Sequence, residues 1–440
     1  MGRSSAGKNP TIGEVHESNT SLTDWINSGV GAGSIALLSG EFRDGTDCIK
    51  ITSTGTGDDR GYRKATEDAG AGRTLPLGHE DLGANGYWIM WVRFPDFSLA
   101  SKIDFFYWRN AYATNGYYDT TETVDAVADE QRIKENTWSP IVIRPDQWIP
   151  RTATGTPPAF DSNDTDFGMF TMEMTGKAGQ TGGSVDFGPV LKNVTQSRPK
   201  LCITFDDSNS TDYTVAFDHL QNVHNGIPAT SYVIGDKIDT VNFLTTAQMV
   251  EMQAAGWTMG THGISALTTV GTTAQIAAEV QHNINLIQQA GITSDNTRHY
   301  AYVEGKHSPD AKDALELVGC VTGRTIAQKT FPVGFDGQDW LSMSCYATTS
   351  WADPTNPTIA DAIAQLDEAV ELGGTCMWYT HLLNTGGGSG QTDSAKWKAA
   401  VDYAVSLQER GLIDIVSVDE LYTKTLNGEK REPYNITYTP

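Results

Sequence analysis

From Leu201 to Leu426, short apolar runs alternate with longer stretches in which apolar residues recur every three or four positions. Parallel strands need crossovers of a dozen or more residues, usually helices, so this alternation predicts a parallel sheet curled into a distorted (β/α) barrel. The spacing predicts helices over Val215–His224, Thr246–Ala255, Thr273–Ala290, Ala311–Val318, Thr358–Leu372, Ser394–Arg410 and Val418–Leu426. Strands are expected at Leu201–Phe205, Ala229–Ile234, Trp257–Gly260, Thr375–Tyr379 and Ile413–Val418.

Upstream the text differs. Over residues 12–196, short alternating runs such as Ser34–Leu38, Cys48–Thr52, Tyr87–Phe94, Phe167–Met174 and Gly183–Leu191 are broken by Gly, Asn, Asp and Thr. Helical periodicity is scarce, apart from a short stretch near Glu130–Asn136. Strands at this spacing predict an all-β sandwich, and the last run has the outline of jelly-roll, lectin-like carbohydrate-binding modules. The aromatic cluster Phe105-Phe106-Tyr107-Trp108, with Tyr112, Tyr117 and Tyr118, suits either a sandwich core or a platform on which sugar rings stack. Residues 1–11 read as a flexible lead, and Gln196–Lys200 marks the boundary with the second domain, 197–440.

The chain has 54 acidic against 31 basic residues, a net charge of −23, which disfavours a nucleic-acid backbone or an anionic membrane as partner. No run approaches the ~18 apolar residues of a membrane span, and the first residues lack the apolar stretch of an export signal. The five cysteines show no paired spacing and no disulfide framework, and Cys202, Cys320 and Cys376, which lie in apolar strand-like segments, are expected as buried free thiols.

The chemistry concentrates where the first strand of the second domain, Leu201–Phe205, ends in Asp206-Asp207. Strand carboxyl ends are where α/β folds place their chemistry. Two adjacent carboxylates can point apart, one towards a metal and the other towards a proton; an Asp-rich turn has the same spelling.

Several segments, in order, resemble the polysaccharide deacetylase family (NodB-like, carbohydrate esterase family 4). Thr204-Phe205-Asp206-Asp207 is similar to its first motif and Met259-Gly260-Thr261-His262 to the start of its second. Met377–His381 is similar to its closing strand, and Ile413–Leu421 to its last. The resemblance covers residues 200–426 and implies a metal-dependent hydrolase that removes N- or O-linked acetyl groups from a polysaccharide. Carried over, Asp206 is the general base, His381 the general acid, and Asp207 and His262 the metal ligands. The implied cofactor is a divalent cation, Zn first, with Co, Ni or Mn as alternatives. Tyr302 and Trp340 take the substrate-binding positions. The second histidine of the metal motif is replaced by Ala266, which leaves the ligand set short of an imidazole, with His299, His307 or Glu304 as substitutes.

Two rival readings follow: a carbohydrate-binding or structural protein on a degenerate barrel, and a small-amide hydrolase. The expected partner is an acetylated glycan, with an oligomer open. The expected setting is extracellular or virion-associated, as in a phage tail protein or an exported enzyme.

Overall fold

The computed structural model describes most of residues 11–428; the longest internal segments outside the described residues are 65–85, 124–134 and 152–166. The chain divides into two compact units, Ile12–Thr195 and Gln196–Asn435.

Among the described residues of the first unit, two six-stranded sheets share a core. One sheet runs Ser34–Leu38, Cys48–Thr52, Ser184–Gln196, Tyr87–Arg93, Ser139–Ile143, with Thr11–Glu17 also on Ser184–Gln196. The other runs Ile149–Arg151, Tyr117–Thr123, Ala100–Arg109, Phe167–Gly176, Asp59–Lys64, Trp25–Asn27. Side chains two apart on a strand share a face, so Trp88, Met90 and Val92 of one sheet meet Ile103, Phe105, Met172 and Met174 of the other. The all-β expectation holds. The helical stretch near Glu130 falls mainly outside the described residues, as do the side chains of the aromatic cluster except Phe105, which is buried against Phe187.

The second unit is a curled, parallel half-barrel. Its strands are β1 (Lys200–Phe205), β2 (Thr230–Val233), β3 (Thr258–His262), β4 (His299–Ala301), β5 (Thr322–Arg324), β6 (Tyr346–Ala347) and β7 (Thr375–Thr380). They lie in the order β5-β4-β3-β2-β1-β7-β6, and Asp414–Ile415 pairs with the start of β1. The central strands β1, β2, β3 and β7 are buried throughout, as a sheet covered on both faces requires. Leu201, Ile203 and Phe205 of β1 face a core completed by Trp257, Trp378 and Trp397.

The helices are α1 (Thr246–Ala254), α2 (Thr273–Gln289), α3 (Pro309–Leu317), α4 (Ile359–Leu372), α5 (Ser394–Glu409) and α6 (Val418–Gly428). Their ends are written in local chemistry. Thr245 with Gln248, Thr272 with Gln275, and Thr358 with Asp361 form capping boxes that satisfy orphan N–H groups. At the other end of α4, Gly373 at φ +69° takes the left-handed stop.

Three expectations change. The segment expected as a helix over Val215–His224 is a pair of π-helical stretches, Asp212–Phe217 and His219–Val223. The final strand shrinks to Asp414–Ile415, because Val418 N–H turns away to cap on Thr230 Oγ1 and α6 begins there. Short strands β4, β5 and β6, with no pattern of their own, complete the sheet. All five cysteines are buried with free thiols. Among the described residues no helix is long and apolar enough to cross a membrane.

Candidate active site

β1 carries the chain into the site and then breaks. Asp206 N–H still donates to Thr380 O (2.9 Å), a sheet-like bond to the neighbouring strand. The next two residues, Asp207 (φ +70°) and Ser208 (φ +53°), are left-handed. Non-glycine residues occupy that region at a cost of ~1–3 kcal/mol each, and such strain gathers at functional sites. The kink sends the two carboxylates apart: Asp206 is buried, whereas Asp207 is half-exposed.

Asp206 is held by Arg324 at the end of β5. Arg324 Nη2 donates to both Asp206 oxygens at 2.6 Å, and Nη1 reaches Thr325 O at 3.3 Å. The guanidinium lies between the rings of Tyr232 and Tyr379, 5.4 and 5.0 Å from their centroids. Burial alone would raise the Asp206 pKa; the charges of Arg324, His262 and His381 and the Arg324 hydrogen bond outweigh it and hold the carboxyl below its usual range. Asp206 is therefore a fixed anion. His381, just after β7, points Nε2 at Asp206 Oδ2 from 3.9 Å, and its Nδ1 lies 3.3 Å from Thr349 Oγ1.

Asp207 faces His262, the last residue of β3, with Oδ1 3.6 Å from Nε2. The His262 Nδ1 sits 2.8 Å from Ala301 O; a carbonyl only accepts, so Nδ1 carries the proton. In the neutral ring Nε2 then offers a lone pair towards a carboxylate, an arrangement that suits a shared cation. Two donors on one tetrahedral ion with bonds of ~2.1 Å lie about 3.4 Å apart. Asn283 of α2 fixes the surroundings: its side-chain N–H groups donate to Val233 O and His262 O, while its Oδ1 accepts from Gly235 N–H. Nearby Asp212 is buried and bonded by Ser231 Oγ (2.8 Å); burial, with the charges of Asp207 and Asp206, pushes its pKa well above the usual range.

The structure corrects the expectation that Ala266 deprives the chain of a carboxylate site with two imidazoles. An intact set exists: His219 Nε2, His224 Nε2 and Asp402 Oδ1 lie within 4.8 Å of one another and are compatible with a divalent cation. The reading of residues 215–224 as an α-helix hid it, because in an α-helix positions i and i+5 stand ~140° apart. The π geometry, with His224 N–H bonded to His219 O at 3.3 Å, stacks them on one face. This triad lies away from the strand ends. His224 closes the descending segment six residues before β2 begins at Thr230, so it sits at the strand-start end of the sheet. Position 266 itself is a buried methyl group preceding a helical turn at Leu267–Thr269.

The fold thus brings Asp206, Asp207, His262 and His381 together at the strand ends. Tyr302 follows β4; its N–H donates to Arg324 O (3.0 Å) and its ring is buried against His307. Trp340 stands elsewhere, at the strand-start end against Tyr422 of α6, because the segment leading to Met343 runs parallel to β5 and passes residue 340 near that strand's beginning. His299 is likewise at the start of β4, bound to Asp419, and Glu304 pairs with Lys306. Sequence reading missed Arg324, Asn283 and Asp212: each is a lone polar residue in an ordinary setting, and Arg324 reaches its partner across 118 positions.

Residues 193–323 match the family model described as polysaccharide deacetylase. No curated protein matches the chain. Among solved structures, the Streptococcus pyogenes deacetylase PplD in complex with acetate is 24% identical (TM-score 0.29); the match covers 32% of this chain and 62% of that one. The Xyl-CE4 domain of a multidomain xylanase from the hindgut metagenome of Trinervitermes trinervoides is 15% identical over 52% of this chain and 91% of that one (TM-score 0.35). The family 11 carbohydrate-binding module of the Clostridium thermocellum cellulase Lic26A-Cel5E is 12% identical over 42% and 95% (TM-score 0.27).

Proposed function

We propose that this chain is a metal-dependent hydrolase of the polysaccharide deacetylase type, removing acetyl groups from a glycan. The match of residues 193–323 to that family supports the class, and the observation that carries the chemistry is the convergence of Asp206, Asp207, His262 and His381 at the carboxyl ends of β1, β3 and β7. Asp207 and His262 would hold a divalent cation, their donors being oriented and correctly spaced for one. Such a cation, when bound, supplies Lewis-acid polarisation of an acyl carbonyl and acidifies water.

The remaining work falls to the protein. Asp206, kept ionised and immobile by Arg324, accepts a proton from the attacking water. His381 Nε2, on the neighbouring strand, donates a proton to the departing amine or alcohol. Asp212, buried and bonded by Ser231 Oγ, has its pKa pushed well up by burial and by the neighbouring carboxylates.

The test is acetate release from a panel of N- and O-acetylated oligosaccharides by zinc- or cobalt-loaded full chain. Release that stops with chelator and falls at least ~100-fold in Asp206→Asn supports the reading. Metal-loaded, folded protein that frees no acetate from any member of the panel rejects it.

A further inference from the structure

We propose that His219, His224 and Asp402 form a second, structural transition-metal site that staples the π-helical segment to α5, separate from the hydrolytic centre. The two imidazoles approach one carboxylate oxygen: His219 Nε2 lies 2.8 Å and His224 Nε2 2.7 Å from Asp402 Oδ1. The two nitrogens are 3.3 Å apart, close to the ~3.4 Å expected between donors on one tetrahedral ion. Both nitrogen–oxygen separations are those of hydrogen bonds, so the exposed Asp402 carboxylate must draw back by roughly 0.6 Å to share the ion. With their Nε2 atoms protonated, the two rings share one acceptor; a cation in the middle replaces both protons. The rings stand perpendicular, 4.7 Å between centroids, so their lone pairs converge without the rings colliding.

Three features set the site's character. Its donors are two imidazoles and a carboxylate without thiolate, a set that selects Zn²⁺, Co²⁺ or Ni²⁺ over Mg²⁺ or Ca²⁺. It is pinned on one side and open on the other: His219 is buried with its ring edge-on to Trp397, whereas Asp402 is half-exposed and leaves room for water as a fourth ligand. It links positions 183 residues apart in sequence, a long closure that a bridging ion stabilises by binding only the folded chain. The π geometry, which gives up regular α-helical bonding, is what aligns residues 219 and 224. The location argues for structure over catalysis, since β1 alone separates the two ends of the sheet by roughly 20 Å.

The experiment uses chelator-stripped full chain titrated with Zn²⁺ alone, reading stoichiometry by calorimetry and Tm by scanning. Asp207→Ala/His262→Ala, lacking the strand-end donors, is expected to bind one zinc per chain with Tm rising by about 5–10 °C at a hundredfold excess over Kd. Adding His224→Ala and Asp402→Asn, both at partly exposed positions, should abolish binding and the Tm response. Visible absorption of Co²⁺ in the Asp207→Ala/His262→Ala protein, lost on adding Asp402→Asn alone, gives the same answer from a milder change. The proposal is overturned if the first variant takes up no zinc, or if the added substitutions leave its uptake unchanged. Zinc count, not acetate, is the readout, so the site stands or falls apart from the hydrolase reading.

Discussion

Replacing Arg324 by Met tests how the buried Asp206 carboxylate is held. The guanidinium is fully buried and is the hydrogen-bond donor to both oxygens of an equally buried Asp206. Removing one partner of such a pair strands the other charge, a loss of ~3–5 kcal/mol. For a unit of this size each kcal/mol moves Tm by about 2–4 °C, so Arg324→Met should lower the transition of the second unit by roughly 6–20 °C at neutral pH. The pH dependence provides the sharper signature. In the native chain the depressed Asp206 pKa stabilises the fold above the unfolded value of about 4, and that contribution is lost as pH falls through the folded pKa. In the variant, burial dominates and raises the folded pKa, so stability is lost as pH climbs above about 4. Arg324→Met should therefore be least damaging in acid. Asp206→Asn/Arg324→Met, which removes both charges, should recover most of the lost Tm while remaining inactive. Calorimetry of chelated full chain reads all three. A neutral-pH loss under ~1 kcal/mol, or a double variant no better than the single, would refute the argument that these charges depend on each other.

Other perturbations probe the supporting structure. Asn283→Ala leaves Val233 O, His262 O and Gly235 N–H without their side-chain partner, and should cost ~3 kcal/mol in urea unfolding and weaken zinc binding at the strand ends by ~10–100-fold. Gly260→Ala would place a methyl 2.6 Å from the Tyr232 ring and 2.8 Å from His299 O, so a loss of ~1–3 kcal/mol is expected; unchanged Tm would show that β3 can shift. His299 faces Asp419, Arg298, Thr322 and the Tyr422 ring, and burial, opposed by Asp419, lowers its pKa. The unfolded state then takes up a proton that the folded state refuses, and stability drops as pH falls below about 6.5, by at most ~1.4 kcal/mol per unit. His299→Asn should flatten that slope in Tm measured between pH 6.5 and 5.5.

The change from strand-like to strand-and-helix patterning near residue 196 was legible along the chain, because period-two and helical hydrophobic patterns act locally. The sequence also marked Asp206-Asp207, His262 and His381, each attached to a strand long enough to read. The short strands were not legible: His299–Ala301, Thr322–Arg324 and Tyr346–Ala347 hold too few residues to show a period, and only pairing with neighbours makes them strands. Arg324 went unseen for that reason. His219 and His224 are five residues apart, a spacing that an α-helix would splay and π geometry brings onto one face, and their third partner, Asp402, comes from a helix almost at the other end of the unit. Local pattern speaks for neighbours within a few residues. Which distant side chains meet depends on how the sheet curls and how each helix packs back upon it, and the tertiary structure alone decided that.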